Sequence, residues 1–284
     1  MMRRGSKKRD EAQEHPQQAA EPVAAKVTIA IAVVTVIVVM GAIVSIWIIL
    51  NGGDEPLASP GPATTGEPGQ RQPAPRFTGD PFFDELGRPV YTPADERGAL
   101  LTQVTAPSGR AASEAPGGIV LQVVHGNLVL PFSTTDGPTG FTGNGIATGF
   151  SRTSQGAGLA AAHYLAFLGG GNDRISLMKE AGLVDDEEGL LQQVVMLNAQ
   201  GGEGAARDGR TQGAPEFVRV EYHDDLSRVY FGLRLTAPNG ETGNLIGWMD
   251  LVWRDGTGWI VKIRGPETFG DGWADSFEGW SQWW

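Results

Sequence analysis

Apolar positions fall in four distinct patterns along the chain. Residues 27–50 read VTIAIAVVTVIVVMGAIVSIWIIL, a run of 24 without a charged side chain. As a helix this run is about 36 Å long at ~1.5 Å per residue, which exceeds a hydrocarbon core of roughly 30 Å. It predicts a tilted membrane anchor, its length marked by Val27, Ile37, Trp47 and Leu50. The run exceeds the apolar core of a cleaved signal peptide, and its exit, WIILNGGDE, is no small-residue cleavage site.

The second pattern is a pair of β-rich runs, Ile119 to Val124 and Leu128 to Phe132, around His125-Gly126-Asn127, which predicts a hairpin. The third lies at 154–168, SQGAGLAAAHYLAFL, apolar on nearly all sides. A helix apolar all round is a buried one, with Thr153 or Ser154 as N-cap and Gly169 after its end. Asn172 is placed to cap a second helix through Glu180, and Asp185 a third, which carries Leu190, Leu191, Val194, Val195 and Leu197. The fourth pattern is strict alternation in Phe217 to His223, Val229 to Leu235, Leu245 to Trp253 and Trp259 to Ile263. Turns at Asp224-Asp225-Leu226 and Asp255-Gly256 join them in pairs. Helices followed by a meander of long strands predict an α+β domain, a curved antiparallel sheet packed on helices.

Charge gives this layout an orientation. Residues 1–26 carry six basic and four acidic side chains, the remainder 16 basic and 29 acidic. Arg3, Arg4, Lys7, Lys8, Arg9 and Lys26 precede the apolar run, and Asp54 and Glu55 follow it. Positive charge stays inside, so the N-terminus is expected in the cytoplasm and the large domain outside the cell membrane. A domain so acidic repels phosphates, and direct nucleic-acid binding by it is not expected. There is no cysteine, so the domain has no disulfide to stabilise it.

Composition divides the rest. Residues 1–26 read as a disordered stub and 51–80, rich in Pro and Gly, as a linker. Residues 81–117 read as an extended arm with a short helix between Asp95 and Val104. Residues 118–265 form the α+β domain, with 200–214 a loop inside it, and 266–284 an acidic aromatic tail.

Candidate chemistry is sparse. His163 and Tyr164, inside the buried helix, are the candidate cavity residues: either a base or ligand, or a core histidine bonded to an acceptor. His223-Asp224-Asp225 alternates across a strand and lacks further ligands at metal-binding spacing. Asp185 to Glu188 fits helix capping better than a calcium loop. Ser176 and Lys179 match S-x-x-K without the companion motifs of serine acylases. Gly143, Gly145 and Gly149 have the wrong spacing for a nucleotide loop. No catalytic, metal or cofactor site is expected from these patterns.

In the tail, Trp273, Phe277, Trp280 and Trp284 fall at i, i+4, i+7 and i+11, which predicts one helical face. Such a face is buried somewhere, either on its own domain or in a partner's groove. On the second reading, removing residues 271–284 weakens capture of the partner and leaves the domain folded.

The motifs of the domain carry a resemblance. Leu130-Pro131-Phe132-Ser133, Asp136-Gly137-Pro138, Gly149-Phe150-Ser151-Arg152-Thr153-Ser154-Gln155-Gly156-Ala157 and Trp253-Arg254-Asp255-Gly256, with Gly258-Trp259 behind, follow one another across roughly 118–265. This series resembles membrane-anchored proteins of conjugative elements of high-G+C Gram-positive bacteria. Their ends read W-x-D-G-D-W, and here Thr257-Gly258 stands where they have one residue. The order of elements is similar to the nuclear-transport-factor-2-like (cystatin-like) roll of type IV secretion assembly factors. The resemblance implies a non-enzymatic single-pass subunit of a transfer apparatus, without a cofactor. Its implied partners are the lipid bilayer, other membrane subunits and further copies of itself. The alternative is an extracytoplasmic ligand-binding or catalytic roll using a cavity near His163.

Overall fold

The computed structural model describes residues 76–201, 213–236, 242–265 and 267–284. The apolar run at Val27–Leu50, the stub and most of the linker lie outside them. Among the described residues no helix is long and apolar enough to cross a membrane.

The chain begins with β1 (Phe77–Phe83) and β2 (Pro89–Pro93), followed by β3 (Val120–Val124) and β4 (Leu128–Phe132). These form a four-stranded mixed sheet in the order β1-β2-β3-β4, with β2 and β3 parallel. A small ribbon, β5 (Gly140–Phe141) with β6 (Ala147–Thr148), leads into α1 (Ser154–Leu168) and α2 (Asn172–Glu180). After β7 (Val184–Asp185) and α3 (Leu190–Gly201) come the long strands β8 (Phe217–His223), β9 (Leu226–Thr236), β10 (Thr242–Arg254), β11 (Gly258–Lys262) and β12 (Phe269–Ala274). Their sheet runs β7-β11-β10-β9-β8, with β12 also on β10. The fold is α+β: three helices among the described residues, with mixed sheets.

Helix α1 matches the sequence expectation closely. Every residue of it except Leu165 is buried. It touches β4 on one side and β8, β9, β10 and β11 on the other, so both sheets share it. Its run of Gly and Ala leaves room for that double contact. A side chain at Gly156 would overlap the backbone of Ser151. Thr153 is the N-cap, its hydroxyl accepting the Gly156 N–H at 3.0 Å. Leu159, Tyr164, Phe167, Met249, Leu251, Trp259 and Phe269 lie in one continuous core around the helix.

Two of the predicted caps are placed differently. The Asn172 amide turns away from its helix and donates to Val195 O, tying α2 to α3. Asp185 belongs to β7, where it extends the edge beside Lys262. The cap of α3 is Asp186, whose carboxylate accepts the N–H groups of Leu190 and Leu191.

From Phe77 onward the segment expected as the end of the linker and the arm contains strands. Strand β1 straddles the boundary placed at residue 80, and β2 adds a parallel strand beside β3. No helix forms between Asp95 and Val104. Buried Gln122 explains this, since its side chain accepts the Ala99 N–H at 2.7 Å and donates to Ala99 O at 3.0 Å. Those backbone groups are thereby withdrawn from a helix.

The tail is not helical. On one side of β10, β11 pairs with Asp250 to Arg254 and β12 with Asn244 to Met249. The two are one edge strand interrupted by residues 263–268. The chain then crosses the sheet as a strap. Phe277 stacks on Phe217 with centroids 4.3 Å apart, and Ser281 exchanges two backbone hydrogen bonds with Val218 on the outermost strand. Trp283 is buried against Gly158 of α1, where a Cβ would overlap the indole, and its Nε1 donates to Ser113 O. Trp284 packs on the small core of Val90, Leu121, Val129 and Ala214.

Truncating a buried Trp costs about 3 kcal/mol or more, so Trp283→Ala should lower the denaturation midpoint by that equivalent. Gly158→Ala should also destabilise, by about 1–3 kcal/mol through overpacking, although alanine is the better helix former. Denaturant titration that finds Gly158→Ala neutral or stabilising would contradict the placement of Trp283.

Candidate functional site

Three groupings of side chains are candidates for a role beyond packing: the motif residues around Asp136, the pair His163–Tyr164, and the aromatic residues of the strap.

The motifs converge on one carboxylate. After β4 the chain turns back so that Ser133 bridges Gly137, and the turn buries Asp136 completely. Arg110 meets it with two guanidinium bonds of 2.7 Å. Thr135 donates at 2.6 Å, Ser151 at 2.7 Å and Thr153 at 3.0 Å. Ser133 donates to Gly117 O and accepts the N–H groups of Thr135 and Asp136. Gln155 donates to Ala111 O and Glu114 O. Trp259 joins from the far hairpin through Nε1 to Ser151 O at 2.9 Å. Burial pushes the Asp136 carboxyl up, but the Arg110, Thr135, Ser151 and Thr153 donors together hold it below the usual carboxylate range. A buried charge with every acceptor site answered is a structural knot. It ties segment 110–117, the Asp136 turn and the start of α1 together. The motif order was legible in the sequence. Arg110, the partner that completes the knot, was missed, because a lone arginine in an irregular segment carries no local signal.

His163 and Tyr164 are neighbours on α1, and each reaches a different sheet. His163 Nε2 lies 2.9 Å from Pro131 O of β4, and the Tyr164 hydroxyl donates to Trp259 O of β11 at 3.0 Å. A carbonyl only accepts, so Nε2 carries the hydrogen, and Nδ1 is left without a partner. Phe132 and Phe150 stand edge-on to the imidazole, with centroids 5.3 and 5.1 Å away. Burial lowers the His163 pKa to about 4 and raises that of Tyr164. The pair therefore tethers α1 to both sheets through neutral side chains.

The four tail aromatics do not share one face. Trp273 is in β12, paired with Leu245 and lying over Gly243, and is 68 % exposed. Phe277 rests on Gly232, and Trp280 meets Phe277 and Tyr230 at 5.2 and 6.2 Å. Arg219 lies 4.3 Å over the Tyr230 ring and 5.3 Å from that of Trp280, and also pairs with Glu221. Trp284 is turned into the small core, its Nε1 donating to Pro215 O at 2.7 Å. The tail thus packs largely on its own domain, and Trp273 alone of the four stands open. Removing residues 271–284 would cut through β12, so the expected clean separation of tail from domain does not hold.

The remaining motifs are surface features. Ser176 and Lys179 are exposed on α2. His223 and Asp224 are exposed at the β8–β9 turn, and Asp225 pairs with Arg152. Gly145 and Gly149 have φ of +90° and +74° around β6, the turn conformations that favour glycine. Among the described residues no group of three or more His, Asp or Glu is arranged to hold a metal ion.

Two tests follow from this geometry. Asp136→Asn leaves Arg110 buried without its counter-charge and should cost about 3–5 kcal/mol, measured by denaturant titration. His163 is a basic group with a depressed folded pKa. Above the unfolded value of about 6.5 it is neutral in both states and has no effect. As pH falls from there toward 4 only the unfolded chain takes the proton, and stability drops by about 1.4 kcal/mol per pH unit. His163→Met should remove this part of the slope between pH 6.5 and 4. An unchanged slope in the variant would show that His163 titrates normally in the fold.

Comparison with curated proteins finds no match, and neither does comparison with solved structures. A family profile does match, over residues 87–282. That range runs from just before β2 to the strap that closes the sheet, and it contains the Asp136 knot, both tethers of α1 and the interrupted edge strand. The chain belongs to the family defined by the domain of unknown function DUF8175.

Proposed function

We propose that the chain is a non-enzymatic, single-pass membrane scaffold, an assembly subunit of a conjugation or type IV secretion-like apparatus. In this reading its DUF8175 domain stands outside the cell membrane and the basic N-terminus lies in the cytoplasm. The observation that carries it is the charge-free run at 27–50 with basic residues before it and acidic residues after it. The helix-on-sheet arrangement of α1 across β8 to β11 supports a roll of the nuclear-transport-factor-2-like kind. The side chains best placed by sequence for chemistry, His163 and Tyr164, are bonded to backbone carbonyls, which favours a scaffold over a catalytic or ligand-binding roll. The partners in this reading are the bilayer, other membrane subunits of the machine and further copies of the chain.

Topology and role are tested separately. The chain has no cysteine, so single introduced thiols report location. A membrane-impermeant maleimide should label Ser276→Cys on intact cells and Ser6→Cys only after lysis. A tagged chain recovered from detergent-solubilised membranes should bring transfer-machine subunits with it, and its deletion should collapse conjugative transfer. Normal transfer in the deletion strain, with no such subunit recovered, would sink the role even if the topology stands.

A further inference from the structure

Each exposed sheet edge is an offer of hydrogen bonds, and proteins guard such edges. Here nearly every edge is guarded. Strand β1 carries an irregularity between Thr78 and Phe82 that includes Pro81. Strand β4 is wholly buried, with His163 on Pro131 O. Strand β8 is bridged at Val218 by Ser281 of the strap and carries the charged, exposed Arg219 and Glu221 beyond it. On the far side of β10, the β11 half of the edge is covered by β7.

The β12 half is different. Among the described residues no strand pairs with its outer edge. Its sequence, FGDGWA, has no lysine, no proline and no bulge, and the strand opens along its length, from buried Phe269 and Gly270 through half-buried Asp271 and Gly272 to exposed Trp273. Asp271 and Trp273 alternate with those glycines, so they point to the same face, about 7 Å apart along the strand. The Trp273 ring leans over Gly243 and leaves its other surface open. Among the described residues no other side chain answers the half-buried Asp271 carboxylate, and burial pushes its pKa up.

We infer that the free edge of β12 receives an extended, basic segment of a partner protein as an added strand. Trp273 and Asp271 take its alternate Arg or Lys side chains. The backbone supplies the pairing, Trp273 a π face for a guanidinium, and Asp271 its counter-charge. Charge selects this occupant over a second copy of the chain. Residues 265–284 carry Glu267, Asp271, Asp275 and Glu278 with no Lys or Arg, so two β12 edges brought together would oppose like charges. The inference rests on the scaffold reading only for the expectation that a protein partner exists.

The test uses the full-length chain in non-ionic detergent and fluorescein-labelled synthetic peptides followed by anisotropy. One peptide alternates Arg with Val. A second alternates Arg with Pro, keeping the charge but losing the backbone donors of every second residue. A third alternates Glu with Val. Saturable binding of the Arg-Val peptide alone is expected. Trp273→Ala should weaken it about thirtyfold, and Asp271→Asn about tenfold. Equal binding of the Arg-Pro peptide would reduce the effect to bulk charge and overturn strand addition. So would undiminished binding by both variants, or no saturable binding at all. If sedimentation shows a dimer that Trp273→Ala dissociates, the occupant is a second copy and the basic partner is overturned. Peptide binding does not depend on conjugative transfer, so its failure and that of the scaffold role are distinguishable.

Discussion

A helix buried on every side is the constraint around which this domain is arranged. Helix α1 has no solvent face on which to place a polar side chain. Its composition is therefore Gly, Ala, Leu and Phe, with a small number of polar groups that must each find an acceptor. Ser154 and Gln155 bond to each other, and Gln155 to the backbone of 111–114. His163 and Tyr164 each take a carbonyl, from opposite sheets. The sheets are thus positioned by the same helix turn, and neither can shift along α1 without stranding a buried donor. The Asp136 knot fixes the entry of that helix in the same manner, with an ion pair in place of a carbonyl.

Elements that announce themselves locally were legible in the sequence. Helix α1 was readable because a run of small apolar residues ends in glycine. The β3–β4 and β10–β11 hairpins were readable because a turn signal sits between alternating runs. Trp253 and Trp259 stand directly opposite each other, 5.3 Å apart and edge-on, despite the longer turn between them. Strand β1 was hidden because FTGDPFF reads as a turn, its Gly, Asp and Pro absorbed by the irregularity in its pairing. Strand β12 was hidden because alternating glycines erase the apolar period. The helical spacing of the tail aromatics was a coincidence of numbers. Phe277, Trp280, Trp283 and Trp284 are spaced by the path of a strap over one sheet, around its edge and down to α1.

The candidate site was less legible than the fold, for a physical reason. Each of its contacts joins residues far apart in sequence. Arg110 reaches Asp136, Tyr164 reaches Trp259, and Arg219 lies under Trp280. Local pattern marked Asp136, Trp280 and, separately, both Tyr164 and Trp259, and could not say which residue meets which. It also presented His163 as a chemical candidate, because a histidine that serves as a tether and one that serves as a base look alike until their surroundings are known.

The glycines beneath the tail rings carry a further consequence. Gly158 lies under Trp283, Gly232 under Phe277 and Gly243 under Trp273. In each case an absent Cβ and a large ring fill one volume between them. A side chain at Gly158 or Gly232 must displace a packed ring, whereas the largely exposed Trp273 over Gly243 has room to swing aside. Substitutions at such positions are non-additive by construction. A glycine and the ring above it thus act as a single site made of two residues, and a change at either is read through the other.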